Sequence, residues 1–286
     1  KNQHFANILS FRTINDAKNI QELAQSAKQA VVVGGGLLGL EAAYGLALTG
    51  VDVTVIHRNK WLLNRQLDQS AAAMLAQTLA SKGVKFQLSD EVEHFYSNDN
   101  QHVAGAALKS GEQLPCQMAI IATGITPNAE LADGVLNKNR AILVDKHMTT
   151  SQHNISALGE CCEFDGACFG LVEPIWAQCK TLADKLIANK KTVFNNAPVP
   201  TKLKVSGVQL YSAGLVEAPS NDKNTRVVTI HDANQLMYRK LIVQNNILVG
   251  AVLFGDVSSG MEYFELIQQQ TELPESVISA LIYGTE

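Results

Sequence analysis

The chain has 286 residues, of which 46% are hydrophobic and 17% are charged, and its formal net charge is −4. This composition is typical of about two ordinary domains and excludes a disordered chain. Charges of one sign do not cluster, so neither a nucleic-acid surface nor a polybasic membrane patch is expected. No apolar run approaches the roughly 20 residues that span a bilayer, and the first residues lack a signal-peptide layout. We therefore expect a cytoplasmic chain that acts without membrane or nucleic acid.

The first predicted elements form a βαβ unit. Residues 11–27 have helical spacing of apolar side chains, with Thr13 or Asn15 as the cap. An apolar strand follows at residues 30–33, and a glycine-rich turn and a second helix connect it to another buried strand at residues 51–56. A strand, helix and strand in this order predict a parallel sheet.

The next segment extends this unit and then changes its period. A helix is predicted over residues 68–82 and a strand over residues 84–88. Two alternating runs between residues 91 and 109 surround a polar turn, which is typical of an antiparallel hairpin. Another apolar strand is predicted at residues 118–122, so the hairpin is an insertion between strands of the first unit.

The remaining elements indicate a second region and a small C-terminal domain. A short strand is predicted at residues 142–144 and a helix at residues 174–186, before a turn-rich linker at residues 195–200. Beyond the linker, strands and one helix alternate as in an α+β domain, with a tight hairpin at Asn245 and Asn246. The predicted elements there are strands at 208–212, 226–230, 238–243 and 247–254 and a helix at 260–269.

The glycine-rich turn carries the pattern of a dinucleotide site. Gly34 permits the tight turn, Gly36 lets the backbone approach a diphosphate, and Gly39 allows close packing of the helix. Leu37 and Leu38 begin the helix, whose free N–H groups and dipole favour an anion. These glycines are also compatible with a tight turn that serves only chain packing and binds no ligand, but the flanking strand, helix and strand favour NAD(P)H binding.

The end of the second strand carries His57 and Arg58, where NAD sites usually place an acidic ribose ligand. A basic pair at this position is suited to the 2′-phosphate of NADP(H), because guanidinium binds phosphate well. The pair is equally compatible with a solvated strand end. The choice between NADH and NADPH therefore stays open.

Several longer segments resemble the two-dinucleotide-binding flavoprotein reductases. These segments read GGGLLGLEAAYGLALTGVDVTVIHR, ATGITPNAELA, ALGECCEFDG and CFGLVEPIWAQ, in this order. RQLDQSAAAMLAQTL and YRKLIVQNNILVGAVLFGD are most similar to the flavoprotein portion of NAD(P)H-dependent nitrite reductase large subunits, which are related to rubredoxin and ferredoxin reductases. The family's first glycine motif, for the ADP half of FAD, is not found before residue 11, and a chain that begins with Lys1 suggests truncation.

The resemblance implies further cofactor contacts. Thr123, Gly124 and Pro127 would border the cofactor, while Gly159 and Glu160 would contact the ribityl or diphosphate part of FAD. Many relatives have Asp at the position of Glu160, and a carboxylate of either length accepts hydrogen bonds from ribityl hydroxyls. An exposed strand-end carboxylate is the alternative interpretation of Glu160.

The resemblance also implies roles for Glu41 and Trp176. Glu41 would lie near the nicotinamide carboxamide, although a glutamate in the first turn also simply stabilises a helix. Trp176 would approach the edge of the flavin ring, although helices commonly bury aromatic residues in their core. No catalytic residue is predicted, because stacking two rings for hydride transfer needs no side-chain acid or base.

The cysteine pattern does not indicate a metal or a redox pair. Cys161, Cys162 and Cys168 have neither zinc nor iron-sulfur spacing, and the CxxxxC pair of the disulfide reductases does not occur. Structural thiols and no metal site are therefore predicted. The clustered cysteines of a sirohaem and iron-sulfur domain are also absent from the sequence.

The predicted fold class is α/β: a Rossmann-type nucleotide-binding domain and a partial FAD-binding domain, followed by a small α+β C-terminal domain. The expected divisions are a connecting helix and linker at 1–29, an NAD(P)-binding domain with a β-meander at 30–115, the C-terminal part of the FAD-binding domain at 116–194 and the last domain at 200–286.

The resemblance implies an oxidoreductase that uses FAD and NAD(P)H and passes electrons to an acceptor protein or an iron-sulfur and sirohaem domain, most readily within a nitrite reductase system. The alternatives are a reductase component for rubredoxin, ferredoxin or assimilatory nitrate reductase, and a non-catalytic nucleotide-binding fragment that holds FAD weakly or not at all. A homodimer is one compatible assembly.

Overall fold

The computed structural model describes residues 5–99, 101–188, 190, 192–219, 222, 224–232 and 234–283. These residues form two compact units. The first unit contains the residues up to Gly124 together with those from Pro200 onward, and the second unit contains Ile125–Val199. The glycine motif and the C-terminal domain therefore belong to the same unit.

Strands and helices alternate along the first part of the chain, and strands predominate further on. The strands are β1 (Ile8–Ser10), β2 (Gln29–Val33), β3 (Asp52–His57), β4 (Val84–Leu88), β5 (Val92–Ser97), β6 (Val103–Leu108), β7 (Gln113–Pro115), β8 (Met118–Ile121), β9 (Ile142–Leu143), β10 (Cys162–Phe164), β11 (Ala167–Cys168), β12 (Thr201–Lys202), β13 (Leu210–Gly214), β14 (Thr225–Asp232), β15 (Met237–Gln244) and β16 (Ile247–Phe254). The helices are α1 (Ile14–Ala24), α2 (Leu37–Leu48), α3 (Gln69–Ser81), α4 (Val172–Ala188), α5 (Gly260–Gln269) and α6 (Glu275–Tyr283).

The first unit is built on a parallel sheet with the strand order β1-β8-β2-β3-β4. Helix α1 begins with a capping box in which the Thr13 side chain accepts from the backbone N–H of Asp16 and the Asp16 carboxylate accepts from the backbone N–H of Thr13. Helices α2 and α3 connect neighbouring parallel strands, which a short turn cannot join. The buried strands and these helices form the main apolar core.

The predicted hairpin is present and gains a third strand. Strands β5, β6 and β7 form an antiparallel sheet in that order. Val103 and Leu108 from this sheet are buried with Val31, Ile56 and Phe5 in a smaller apolar cluster. The three-stranded insertion therefore packs against the parallel sheet.

The C-terminal strands form an antiparallel sheet in the order β12-β13-β16-β15-β14. The hairpin between β15 and β16 turns at Asn245 and Asn246, whose φ angles are +50° and +60°. Two consecutive positive φ values are those of a type I′ turn, which Asn tolerates better than most residues. Helix α5 covers one face of the sheet through Tyr263, Phe264 and Ile267.

The C-terminal sheet shares a core with the parallel sheet. Apolar side chains of this sheet and of the connection between β12 and β13 are buried in the same cluster as those of α2 and α3. The contributors are Leu203, Val205, Val208, Leu210, Tyr238, Val252 and Phe254. A shared core means that the two sheets cannot separate without exposing apolar area. The C-terminal sheet is therefore a structural support of the nucleotide-binding unit.

The second unit has its own small core. Strand β10 pairs with β9 in parallel and with β11 in an antiparallel hairpin. Phe194 packs edge-on against Phe164 and Phe169, with ring centroids 5.2 and 5.7 Å apart. Met148 and Cys162 are fully buried beside them. Among the described helices none combines the length and apolarity that crossing a bilayer requires.

The predicted fold class is confirmed, and the structure adds several short elements that the sequence pattern does not predict. Strands β1 and β8 complete the parallel sheet, and β1 is one of the strands that the sequence pattern does not predict. Strands β10 and β11 are two or three residues long and give no usable period. Helix α6 was not predicted, because its nine residues contain few polar positions from which to read a face.

Candidate dinucleotide-binding site

The glycine loop connects β2 to α2 by close backbone contacts. Gly34 has a φ of +121°, and a Cβ atom placed on it would lie 2.3 Å from the carbonyl oxygen of Ala122. A Cβ atom on Gly39 would lie 1.9 Å from the carbonyl oxygen of Gly34. No side chain fits at either position, so the two glycines let the helix begin directly against the loop.

Gly36 has a different environment. A Cβ atom built on it meets nothing within 4 Å, and its φ of −86° is open to any residue. Gly36 is the N-cap of α2 and provides no side-chain cap. The first N–H groups of a helix have no partner within the helix, and an external acceptor such as a diphosphate suits them. The geometry of Gly36 thus fits a nucleotide.

The start of α2 is partly solvent-facing. Leu38 is 49% exposed, whereas Leu37 packs against the main core. In the first turn of α2, the Leu40 N–H donates to the Gly36 carbonyl at 3.0 Å. The exposed edge of the first turn is therefore the surface next to the open space at Gly36.

Gly35 is held from both sides, by the last residue of β3 and by the segment that follows it. Its N–H donates to Nδ1 of His57 at 3.1 Å, and its carbonyl accepts from the Leu63 N–H at 3.0 Å. A Cβ atom on Gly35 would lie 2.8 Å from both the His57 ring and the Leu62 side chain. Sequence reasoning missed Gly35, although its place between the two motif glycines was a signal.

His57 and Arg58 are in different environments despite their adjacency. Burial lowers the pKa of His57, and the positive charge of Arg58 lowers it further, while hydrogen bonds to the ring only partly offset these effects. The imidazole is therefore neutral near pH 7. Arg58 is exposed at the end of β3 and is the member of the pair that faces solvent.

Glu41 and Asp68 connect the nucleotide-binding helices to the C-terminal domain. Oε1 of Glu41 accepts the backbone N–H of Lys204 at 3.1 Å. Asp68 caps α3 through the Ala71 N–H and also accepts the hydroxyl of Tyr238. The sequence predicts the start of α3 at residue 68, but it gives no signal for the partner from β15.

Thr123 and Gly124 follow β8 beside the glycine loop. The backbone nitrogen of Thr123 lies 3.3 Å from the position of a Cβ atom on Gly34, and Gly124 has a φ of +109°. Both residues are exposed. The structure thus brings these two predicted residues to the same edge of the parallel sheet as the glycine motif, because the carboxyl ends of parallel strands share one edge.

The remaining predicted residues belong to the second unit. Pro127 and Glu160 are half-buried, and Trp176 on α4 is 69% exposed, so this aromatic side chain is not a core residue. Gly159 has a φ of +88°, and its N–H donates to Oε1 of the buried Gln178 at 2.7 Å. Glu160 follows it in a short 3-10 helix.

The five cysteines are free thiols. Burial raises the pKa of Cys116 to about 11 and is the main cause of the rise at Cys162 to about 12, where the neighbouring thiols Cys161 and Cys168 add to it. Such thiols are weak nucleophiles at neutral pH. Within the described part of the chain, no group of three metal-ligating side chains is placed to hold a metal ion.

The parallel sheet, the glycine loop and the open N-terminus of α2 define a dinucleotide-binding protein of the Rossmann type. The family profile described as pyridine nucleotide-disulphide oxidoreductase matches residues 5–199, and that of the rubredoxin NAD+ reductase C-terminal domain matches residues 198–271. The chain belongs to the pyridine nucleotide-disulphide oxidoreductases. It is therefore a member of an oxidoreductase family, as the sequence motifs predict.

Two curated relatives come from Bacillus subtilis strain 168. A nitrite reductase [NAD(P)H] is 36% identical over 94% of this chain and 33% of its own length. An assimilatory nitrate reductase electron transfer subunit is 34% identical over 93% of this chain and 34% of its own length. The predicted resemblance is confirmed, and the chain spans about a third of the length of these relatives.

A solved structure has the same fold. An NAD-dependent persulfide reductase from A. fulgidus superimposes with a TM-score of 0.79 and 26% identity, over 94% of this chain and 54% of its own. The superposition covers both the parallel and the C-terminal sheets, since nearly the whole chain is included.

Proposed function

We propose that the chain is an NAD(P)H-dependent flavoprotein oxidoreductase module that binds the coenzyme at residues 34–39 and passes electrons through FAD to a redox partner. The observation that carries this proposal is the open backbone cradle at Gly36, at the uncapped start of α2. Family membership supports the flavin and the redox chemistry.

The residues of the chain bind and orient the two cofactors in this proposal. The N–H groups that begin α2 receive the coenzyme diphosphate, and Thr123 and Gly124 border it at the sheet edge. Gly159 and Glu160 contact FAD, with Pro127 and Trp176 near it, as the family resemblance implies. When bound, nicotinamide and flavin supply the hydride-transfer chemistry, and the protein contributes orientation and exclusion of water.

We place this module in a nitrite reductase system, because a nitrite reductase is among the relatives with 30% identity or more. The acceptor is then an iron-sulfur and sirohaem domain or a separate electron-acceptor protein. A role as the reductase component for nitrate reductase or rubredoxin is supported by the electron transfer subunit and by the C-terminal domain family. A cytoplasmic location is part of the proposal, since free thiols are typical of reducing compartments.

The decisive experiment adds a side chain at Gly36. Gly36→Val places methyl groups where the diphosphate would lie, at a backbone angle that valine tolerates. We expect the Kd for NADH, followed by nicotinamide fluorescence, to rise at least about tenfold, the equivalent of about 1.4 kcal/mol, while the urea midpoint stays close to wild type. Gly45→Ala, in the same helix with open space around it, is the control. Unchanged affinity in the valine variant would refute the site.

The flavin part is tested separately by adding FAD to the purified chain and recording the visible spectrum. A flavin that NADH reduces supports the oxidoreductase. A colourless protein that still binds NADH supports the alternative of a nucleotide-binding module without redox activity.

A further inference from the structure

His57 occupies the strand end where a ribose ligand is expected, yet its ring faces the protein. Its Nδ1 accepts the Gly35 N–H at 3.1 Å, and the ring lies against the Gly35 backbone closely enough to exclude a Cβ atom there. We propose that His57 is a positioning residue that holds the glycine loop in its coenzyme-binding form through an uncharged imidazole, so that coenzyme affinity falls when the ring takes up a proton. The inference rests on the proposed coenzyme site.

The direction of the hydrogen bond determines the protonation state that the loop needs. A backbone N–H can only donate, so Nδ1 must present its lone pair, and the single ring proton is then on Nε2. A second proton on Nδ1 would set two donors against each other across 3.1 Å. The Gly35 N–H would lose its acceptor, and an unpaired amide is costly in a partly buried position.

The affected peptide lies within the motif. Gly35 separates Gly34, which is locked against Ala122, from Gly36, which leaves the cradle open. Its carbonyl accepts from the Leu63 N–H, so the residue Gly35 has one anchor in each of the two peptide groups that flank it. Loss of the His57 anchor releases the N–H side only, and this loosens the start of α2, where the diphosphate would bind.

The burial of His57 and the charged groups near it influence how readily its ring takes up a proton. Arg58 on the same strand end opposes protonation, as does burial of the ring. The neighbouring segment after β4 contributes the carboxylates of Asp90 and Glu91, and the Asp90 N–H donates to the His57 carbonyl at 3.3 Å. Lys60 and Arg65 in the β3–α3 connection add two exposed positive charges.

Two roles for His57 therefore predict opposite pH dependences. If the imidazole were a cationic ligand for a coenzyme anion, acid would strengthen binding. If the neutral imidazole positions the loop, coenzyme binding weakens as the pH falls through the pKa of His57. This pKa lies below the usual histidine value of about 6.5. Affinity is then full above this pKa and declines by up to about tenfold for each pH unit below it.

The experiment measures the Kd of the full chain for NAD+ between about pH 8 and about pH 5, the range in which histidine titrates. NAD+ is chosen because the charge of its diphosphate is constant across this range, whereas the 2′-phosphate of NADP+ titrates. His57→Gln offers a carbonyl acceptor that does not titrate, and His57→Leu offers none. His94→Gln, at an exposed histidine on β5, is the control.

The wild type and His94→Gln should lose affinity in acid, while His57→Gln binds with a nearly flat profile. His57→Leu should bind weakly at every pH, and its contrast with the Gln variant separates positioning from a general packing role. The urea midpoint at each pH shows that all variants are folded. Affinity that rises in acid, or a Gln variant with the wild-type profile, overturns the inference. Chains that bind neither NAD+ nor NADP+ even at the upper pH overturn the proposed coenzyme site itself.

Discussion

The hydroxyl of Tyr238 on β15 donates to Oδ2 of Asp68, the N-cap of α3, at 2.5 Å. The same oxygen lies 2.9 Å from Nζ of Lys240, and both charged residues are buried. Burial and the bond to Asp68 raise the pKa of Tyr238. One carboxylate thus joins helix α3 to the C-terminal sheet, and it does so at a site closed to solvent.

We expect Asp68→Ala to lower the free energy of unfolding by about 3–5 kcal/mol, because among the described residues it leaves the buried ammonium of Lys240 with the exposed Glu217 as its remaining ion-pair partner. Asp68→Asn should lose less, since asparagine keeps the helix cap. Lys85→Met removes an exposed pair with Asp52 of nearly the same length, 2.8 Å, and should change little. Urea unfolding measures all three, and equal losses would contradict the special role of the buried pair.

The close packing of α2 on the loop predicts opposite effects for two glycines of one helix. Gly39→Ala drives a methyl group into the Gly34 carbonyl and should cost at least about 1–3 kcal/mol. Gly45→Ala meets nothing within 4 Å and should stabilise the helix by about 0.5–1 kcal/mol. Thermal or urea unfolding compares the pair. Equal effects of the two substitutions would contradict the close contact between Gly39 and the Gly34 carbonyl.

Arg58 should determine the preference between the two coenzymes. It is exposed at the strand end, whereas the His57 ring is engaged with Gly35. Arg58→Ala is expected to raise the Kd for NADPH about tenfold relative to that for NADH, since a charge-assisted bond contributes about 1.5–3 kcal/mol. Lys85→Ala, at an exposed lysine on β4, should leave the ratio unchanged. An unaltered ratio in the Arg58 variant would exclude a 2′-phosphate contact.

The thiols should divide into two classes under alkylation near neutral pH. Cys161, Cys168 and Cys179 are half-buried and should be modified first, while Cys116 and Cys162 should react only on unfolding. Peptide mass spectrometry of native and urea-treated chain measures this difference. Rapid native labelling of Cys116 would show that its side chain is not buried.

The pH dependence of stability follows from the same two buried thiols. Their pKa values of about 11 and about 12 are above the ordinary value, so the folded state keeps protons that the unfolded chain loses. Their contribution to stability is full below about pH 8.5 and declines as the pH rises toward these values. Urea midpoints of the wild type should fall over this range, and Cys116→Ala should fall less steeply. Parallel curves would contradict the assignment.

The local sequence pattern alone was sufficient to predict most elements of the parallel sheet and the hairpin at Asn245. The period of apolar residues identified α2, α3 and the strands beside them, since each element buries one face or both. The glycine spacing identified the motif, because only glycine permits the contacts at Gly34 and Gly39. Residues without such a local requirement, such as Ile8 in the short β1, could not be assigned.

The sequence by itself determined the glycine motif together with β2, α2 and β3, since their patterns lie within residues that are close along the chain. The tertiary structure decided what distant residues do. Only the fold brings Nδ1 of His57 to Gly35, 22 positions away, and Tyr238 to Asp68, 170 positions away. A hydrogen bond depends on distance and direction in space, and neither is encoded in the spacing of one segment. The position of His57 is compatible with both a coenzyme ligand and a solvated strand end, whereas its contact with Gly35 is the basis of our proposal that it positions the loop.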